Sequence, residues 1–178
     1  MSGSPSPNAV ATDRVFPAGV FFAVAVVLHN ADHVRRGADV VASDVFWLGS
    51  AAIVLEVALV ALICQRHPVA PLSAALAGLT LAAGYVLVHF LPERPWLSDP
   101  LLSTRGVDPW SVLVASIEIV AALVLGLAGL VALHRLGGPG STVGAPQPPT
   151  RQRTVLHPVA LGFALIQVAT LAASFAQI

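Results

Sequence analysis

Long apolar stretches separated by short polar ones dominate the sequence. A helix needs about 20 largely apolar residues to cross the hydrocarbon core of a bilayer. Five stretches reach roughly that length, at residues 16–36, 44–64, 69–91, 109–133 and 156–178. The pattern therefore predicts an all-α protein: an integral membrane helical bundle of about five transmembrane helices, made of a four-helix core plus one.

Signals at the ends of these stretches support the assignment. Proline suits the first turn of a helix, Asp suits the N-cap, and glycine suits the position just after the last turn. The chain has Pro17 and Pro109 at predicted first turns, Asp44 and Asp108 at predicted N-caps, and Gly37 and Gly137 just past predicted helix ends.

Two segments lack this apolar character and divide the chain. Residues 1–15 are rich in Ser, Pro and Gly, which predicts a disordered N-terminal arm. Residues 134–155 are rich in Gly and Pro, which predicts a flexible linker. The predicted organisation is thus an arm, a four-helix bundle over residues 16–133, the linker, and a fifth helix over residues 156–178.

Composition and charge agree with a membrane protein and exclude other classes. The chain is 56% hydrophobic and 10% charged, far from the balance of a soluble surface. Its formal net charge is zero, so it lacks the basic surface that binds nucleic acid. The single cysteine, Cys64, lies in an apolar stretch and excludes both an intrachain disulfide and a cysteine-based zinc site.

The distribution of arginines gives an orientation. Five spans place Arg14, Arg66, Arg135, Arg151 and Arg153 on the side of the N-terminus, and Arg35, Arg36, Arg94 and Arg105 on the other side. Because basic residues favour the cytoplasmic side, this distribution predicts a cytoplasmic N-terminus. Trp47, Trp96 and Trp110 fall on the other side, where their amphipathic rings suit the membrane interface.

Six ionisable residues in the predicted spans lie towards the tryptophan side. They are His29, Asp32, His33, Glu56, His89 and Glu118. The first three follow i, i+3, i+4 spacing and therefore share one helix face. A rise of 1.5 Å per residue predicts that His29, Glu56 and Glu118 share one depth and that the other three lie nearer the surface.

Small residues indicate which way these side chains point. Stripes at three-to-four-residue spacing accompany the ionisable groups: Gly49 and Ala52 with Glu56, Ala74, Gly78 and Ala82 with His89, and Ser111, Ala115, Ala122 and Gly129 with Glu118. Small residues let membrane helices approach closely. The ionisable groups are therefore expected to face neighbouring helices rather than lipid.

A charged group at the centre of a membrane helix costs about 2.5–3.5 kcal/mol, so Glu56 and Glu118 need compensation. A proton, an inward-reaching Arg35 or Arg36, or a bound cation would each supply it. Imidazole and carboxylate ligands together suit zinc, iron or manganese, and helical bundles build di-iron and di-manganese sites from inward Glu and His. The six residues are therefore candidate ligands for a transition metal that acts on a membrane-soluble or extracytoplasmic molecule.

Three other interpretations remain open from the sequence. The same groups would suit a carrier of protons or divalent cations, given a polar path to the opposite face. They would also suit an accessory subunit in which polar contacts only order the helices. Bis-histidine haem ligation by His29 or His33 with His89 ranks below a non-haem site, because haem needs no adjacent carboxylates.

Two further polar features have modest expected roles. The loop that contains Asp99 either folds over the cluster as a lid or solvates the surface, and a solvated surface is the ordinary expectation. Gln167, in the fifth stretch, is expected to make a packing hydrogen bond.

Three segments carry a resemblance. LHNADHVRRG at residues 28–37, VLVHFLP at residues 86–92 and WSVLVASIE at residues 110–118 resemble a group of small uncharacterised bacterial polytopic membrane proteins. The resemblance covers the first four predicted helices. It implies a four-helix membrane bundle in the bacterial plasma membrane, and it implies no activity.

Overall fold

The computed structural model describes residues 7–37, 41–104, 107–136 and 157–176, with only the backbone described for residues 7–10. These residues form helices and connecting loops without a β-strand. The helices are α1 Pro7–Arg36, α2 Ser43–Cys64, α3 Ala70–His89, α4 Pro109–Leu136 and α5 Pro158–Phe175. All five are long and apolar enough to cross a membrane, which confirms the predicted all-helical membrane bundle.

Helix ends cluster at what we call the loop end, where α1 and α3 end and α2 and α4 begin. The loop between α3 and α4 reaches across this end, because the backbone N–H of Leu97 donates to the Asp44 carboxylate at the start of α2. Helix α5 runs parallel to α1. Its first residues lie beside Phe16, whose ring is 5.9 Å from that of His157, and its last residue Phe175 contacts Phe46, 5.3 Å away at the loop end.

Helices α3 and α4 pack most closely, through glycines. A Cβ atom added at Gly78 would lie 2.5 Å from the backbone nitrogen of Gly126, and one added at Gly129 would collide with the backbone of Ala75. The two helix backbones are therefore in direct contact, as small residues allow in membranes. Helix α1 packs along α4, and α5 packs against α1 and α2.

Helix α1 begins at Pro7, so residues 7–15 are helical rather than part of the predicted disordered arm. The extra turns form because Ala11 and Val15, four residues apart, are both buried in the core. Pro17 consequently lies inside α1 and not in its first turn. It removes one backbone hydrogen bond, which the burial on either side of it offsets. Residues 1–6 lie outside the described part.

The other predicted helix ends lie closer to the ends that the structure shows. Asp108 caps α4 as predicted, since its carboxylate accepts the Ser111 N–H at 3.0 Å. Gly37 follows α1 with a φ of 97°, the left-handed conformation that favours glycine. Asp44 is not an N-cap: it lies in the first turn of α2, whose N-cap is Ala42. Helix α4 continues to Leu136, so residues 134–136 of the predicted linker are helical. Gly137 and the rest of that linker, residues 137–155, lie outside the described residues.

We predict that Gly78→Ala destabilises the bundle by about 1–3 kcal/mol, because the added methyl group forces α3 away from α4. Gly84→Ala is the matched control on the same helix, since a Cβ atom there has nothing within 4 Å. Unfolding in detergent, followed by circular dichroism, should separate the two variants. Equal stability would show that the contact between α3 and α4 is looser than described.

Candidate metal centre

Three histidines from two helices meet near the loop end. His29 and His33 lie one turn apart on α1, and His89 is the last residue of α3. One ligand atom from each of the three lies within 4.8 Å of those of the other two. His29 Nε2 and His33 Nε2 are 2.9 Å apart, and the rings of His29 and His89 are 4.9 Å apart. We call this group the histidine cluster.

The loop between α3 and α4 fixes the orientation of His89. Its Nδ1 lies 3.3 Å from the main-chain carbonyl oxygen of Asp99 and 3.5 Å from the Asp99 carboxylate. Because both oxygens are acceptors, Nδ1 is the ring nitrogen that donates, and the neutral tautomer with this proton has its lone pair on Nε2. A histidine held by carboxylate or carbonyl in this way is typical of metal ligands.

Asp99 is buried, with 3% of its surface exposed, so the expectation of a solvated loop is wrong at this residue. Its two carboxylate oxygens accept hydrogen bonds from the two terminal nitrogens of Arg36, each at 3.0 Å. Burial acts to raise the pKa of Asp99, but the hydrogen bonds from His89 and Arg36 outweigh it and hold the pKa well below its usual range. The loop therefore closes over the histidine cluster through a fixed ion pair.

Glu118 supplies a carboxylate beside the cluster. It is 1% exposed, and its Oε2 lies 3.6 Å from His29 Nε2. That oxygen and His29 Nδ1 have no hydrogen-bond partner among the described residues. Two ligands bound tetrahedrally at about 2.0–2.1 Å from one ion lie about 3.3 Å apart. The 2.9 Å and 3.6 Å separations around His29 Nε2 bracket that distance.

Glu56 is already engaged by other side chains. The Tyr85 hydroxyl donates to its Oε1 at 2.6 Å, and the Gln167 amide donates to its Oε2 at 3.5 Å. Tyr85 also interacts with Glu118, so it connects the two carboxyl groups. Sequence analysis missed Tyr85, although it precedes His89 by one helical turn and therefore shares its face. Gln167 makes a hydrogen bond between helices, as expected.

Asp32 belongs to a separate network. Its carboxylate is 2.7 Å from a terminal nitrogen of Arg35, and that side chain also reaches Asp108 at 3.0 Å and the Ser111 hydroxyl at 3.1 Å. The Ser111 amide and Arg35 lower the pKa of Asp108, which favours its charged form. Of the six sequence candidates, the structure thus gathers His29, His33, His89 and Glu118, connects Glu56 through Tyr85, and pairs Asp32 with an arginine.

The three grouped imidazoles, with the Glu118 carboxylate beside His29, are donors of the types that suit borderline divalent metals. Comparison of this chain with protein-family models, with curated proteins and with solved structures finds no match.

We predict that Asp99→Ala destabilises the protein by about 3 kcal/mol. This is the lower end of the range for breaking a buried ion pair, because Arg36 at the end of α1 keeps some access to water. Asp13→Ala, which removes an exposed ion pair with Arg66, is the control and should change stability little. Chemical unfolding in detergent tests this, and equal effects of the two substitutions would contradict a clamped loop.

Proposed function

We propose that this chain is an integral membrane metalloprotein that holds a divalent transition-metal ion in its histidine cluster. The observation that carries the proposal is the convergence of three imidazoles, from two helices and under a fixed loop, beside a buried carboxylate oxygen that has no partner among the described residues. His29, His33 and His89 supply nitrogen ligands, and Glu118 supplies an oxygen ligand.

The surrounding residues favour one ion over two. Bundles that bind two irons or manganese ions use several free carboxylates. Here Glu56 accepts from Tyr85 and Gln167, and Asp32 is paired with Arg35. A set of three histidines and one glutamate suits zinc, iron or manganese. Such an ion polarises an oxygen-bearing group bound to it, as a Lewis acid does.

A carrier of protons or ions fits the structure less well. Transport needs polar groups that continue to the opposite membrane face. In the described part of α2, the buried positions beyond Glu56 are Leu59, Val60, Ile63 and Cys64. These apolar side chains favour a closed site over a path through the bundle.

A purely structural role for the cluster also fits less well. Polar residues that serve only to order helices gain by satisfying one another's hydrogen bonds. Glu118 Oε2 and His29 Nδ1 remain without partners among the described residues, and such buried atoms are costly. A metal ion bound by Glu118 Oε2 removes one of these costs.

We further propose that the protein lies in the bacterial plasma membrane with a cytoplasmic N-terminus and with the histidine cluster towards the extracytoplasmic face. The arginine distribution, five on the N-terminal side against four on the other, supports this orientation. Three of the four arginines on the other side also have partners within the protein. Arg35 and Arg36 pair with aspartates, and Arg94 donates to main-chain carbonyl oxygens. The resemblance of the LHNADHVRRG segment supports the bacterial assignment.

We predict that protein purified in detergent, without a histidine tag, contains close to one equivalent of zinc, iron or manganese. His89→Ala and Glu118→Gln should each lower the metal content at least about tenfold, since each removes a ligand. Elemental analysis by mass spectrometry is the measurement. His67→Ala is the matched control, because His67 is an exposed histidine on the turn between α2 and α3.

Two results would contradict the metal centre. One is protein that binds none of these ions even when each is supplied during purification. The other is metal content that falls equally in His67→Ala and His89→Ala. If the ligand substitutions lower stability and no metal is present to be lost, the cluster serves helix packing instead.

The orientation makes a separate prediction. Alkaline phosphatase fused after the last residue should be active in bacterial cells, and a green fluorescent protein fused there should stay dark, because five spans place the C-terminus outside. Fusions in the turn at His67 should give the opposite pair of signals. Fluorescence at the C-terminus would reverse the proposed orientation and leave the metal proposal unchanged.

A further inference from the structure

A cavity of about 440 Å³ lies beside the histidine cluster. Its walls come from all five helices, with Glu118 as the contribution of α4, and from the loop residues Gly37, Val41 and Leu97. Most of the lining is apolar, and the polar groups that reach it include the imidazoles of the histidine cluster together with Glu56, Tyr85 and Glu118. The volume falls in the range of about 300–1,000 Å³ typical of small-molecule sites.

The mouth of this cavity faces lipid. Leu48 and Leu55 of α2, each 49% exposed, and Leu87 of α3, 36% exposed, line the cavity and also reach the protein surface. All three lie within helices that are able to span the membrane. Leu55 is about 18 Å along α2 from Ser43, at a rise of 1.5 Å per residue, so the mouth extends deep into the hydrocarbon.

Two glycines show that the gap between α2 and α3 is open. Gly49 on α2 and Gly84 on α3 both line the cavity, and a Cβ atom added at either has nothing within 4 Å. Gly78, on the same α3 helix, instead contacts the backbone of α4. The glycines at the cavity therefore do not serve close helix packing, and they leave room for a ligand.

The inner wall offers hydrogen-bonding groups at membrane depth. Glu118 Oε2 and His29 Nδ1 are buried without partners among the described residues. Tyr85 and Glu56 lie beside them, joined by a 2.6 Å hydrogen bond. An apolar cavity with a few polar groups on one wall matches a molecule with an apolar body and one polar head.

We infer that the cavity binds a lipid-soluble, single-chain molecule that enters from the bilayer between α2 and α3 and places a hydroxyl or carbonyl oxygen against the histidine cluster. The hydrocarbon chain of this ligand contacts the apolar walls of the cavity. The ligand oxygen hydrogen-bonds to the polar wall or binds the proposed ion. The inference rests on the proposed function where it places the head group at the ion. Occupancy of the cavity by the ligand's hydrocarbon chain is measured separately from metal binding.

The test uses a long-chain fatty alcohol with a photoreactive diazirine in its chain, added to the protein in phosphatidylcholine nanodiscs. After illumination, mass spectrometry locates the labelled residues. Label should concentrate on the α2 and α3 segments that line the cavity, and excess unlabelled alcohol should remove it. The corresponding diazirine alkane, which lacks the hydroxyl group, should label these segments about fivefold less, because one hydrogen bond contributes about 1 kcal/mol.

Three glycine variants make the test specific. Gly84→Leu and Gly49→Leu fill the cavity from either side and should each lower cavity labelling at least about tenfold. Gly162→Leu on α5 is the matched control, because a Cβ atom there also has nothing within 4 Å and Gly162 does not line the cavity. Unfolding temperature and metal content are measured on the same samples, and each leucine variant should retain both.

The outcomes separate this inference from the metal proposal. Label spread over the lipid-facing surfaces, unaffected by competitor or by either cavity variant, would overturn the inference even if metal is bound. Saturable label in the cavity of protein that contains no metal would support the lipid-soluble ligand and count against the ion as its partner. Labelling lost equally in Gly162→Leu would also overturn a site at this position.

Discussion

Lipid offers no hydrogen-bond partner, so every ionisable side chain that these helices carry into the membrane needs a partner inside the protein. Several find one: Asp32 pairs with Arg35, Arg36 at the end of α1 pairs with Asp99 of the loop, and Glu56 accepts from Tyr85. This constraint sorts the polar residues into satisfied pairs and a remainder. Among the described residues the remainder comprises atoms of Asn30, Arg94 and Gln167 as well as His29 Nδ1 and Glu118 Oε2. The last two lie on neighbouring residues at the histidine cluster, and their lack of partners is the physical basis for assigning the cluster a ligand.

The contact between α3 and α4 makes the histidine cluster with Glu118 a defined site. These helices meet backbone to backbone at Gly78 and Gly129, and they carry His89 and Glu118 respectively. Helix α1 packs along α4 and adds the other two histidines. Ligands on helices that cannot easily slide are held closer to productive geometry than ligands on loops. The gap between α2 and α3 lies beside this rigid part, and access to the site therefore does not require the ligands to move.

The fold was largely predictable because length and hydropathy alone identify membrane helices. The candidate ligands were predictable as well, since ionisable residues in such helices are rare and spacing assigns them to faces. Spacing does not tell which faces meet. Spacing therefore grouped Asp32 with the histidines, whereas the structure pairs Asp32 with Arg35. Spacing also gave no sign that Tyr85 contacts Glu56. The role of Asp99 depends on how a loop crosses the loop end, and the early start of α1 depends on burial of Ala11 and Val15 against other helices.

The sequence predicted two separate layers of ionisable groups, and the geometry of α1 connects them. His29 and His33 are one turn apart, so one helix face carries imidazoles at both depths, and their Nε2 atoms lie 2.9 Å apart. His89 joins them from α3, and Glu118 lies against the deeper end at 3.6 Å from His29. The result is a column of donor atoms with the Arg36–Asp99 pair at one end and the lipid-facing cavity along its side. The oxygen-bearing, lipid-soluble molecule that we infer would reach the column through apolar surroundings, where electrostatic attraction to the proposed ion would be stronger than in water.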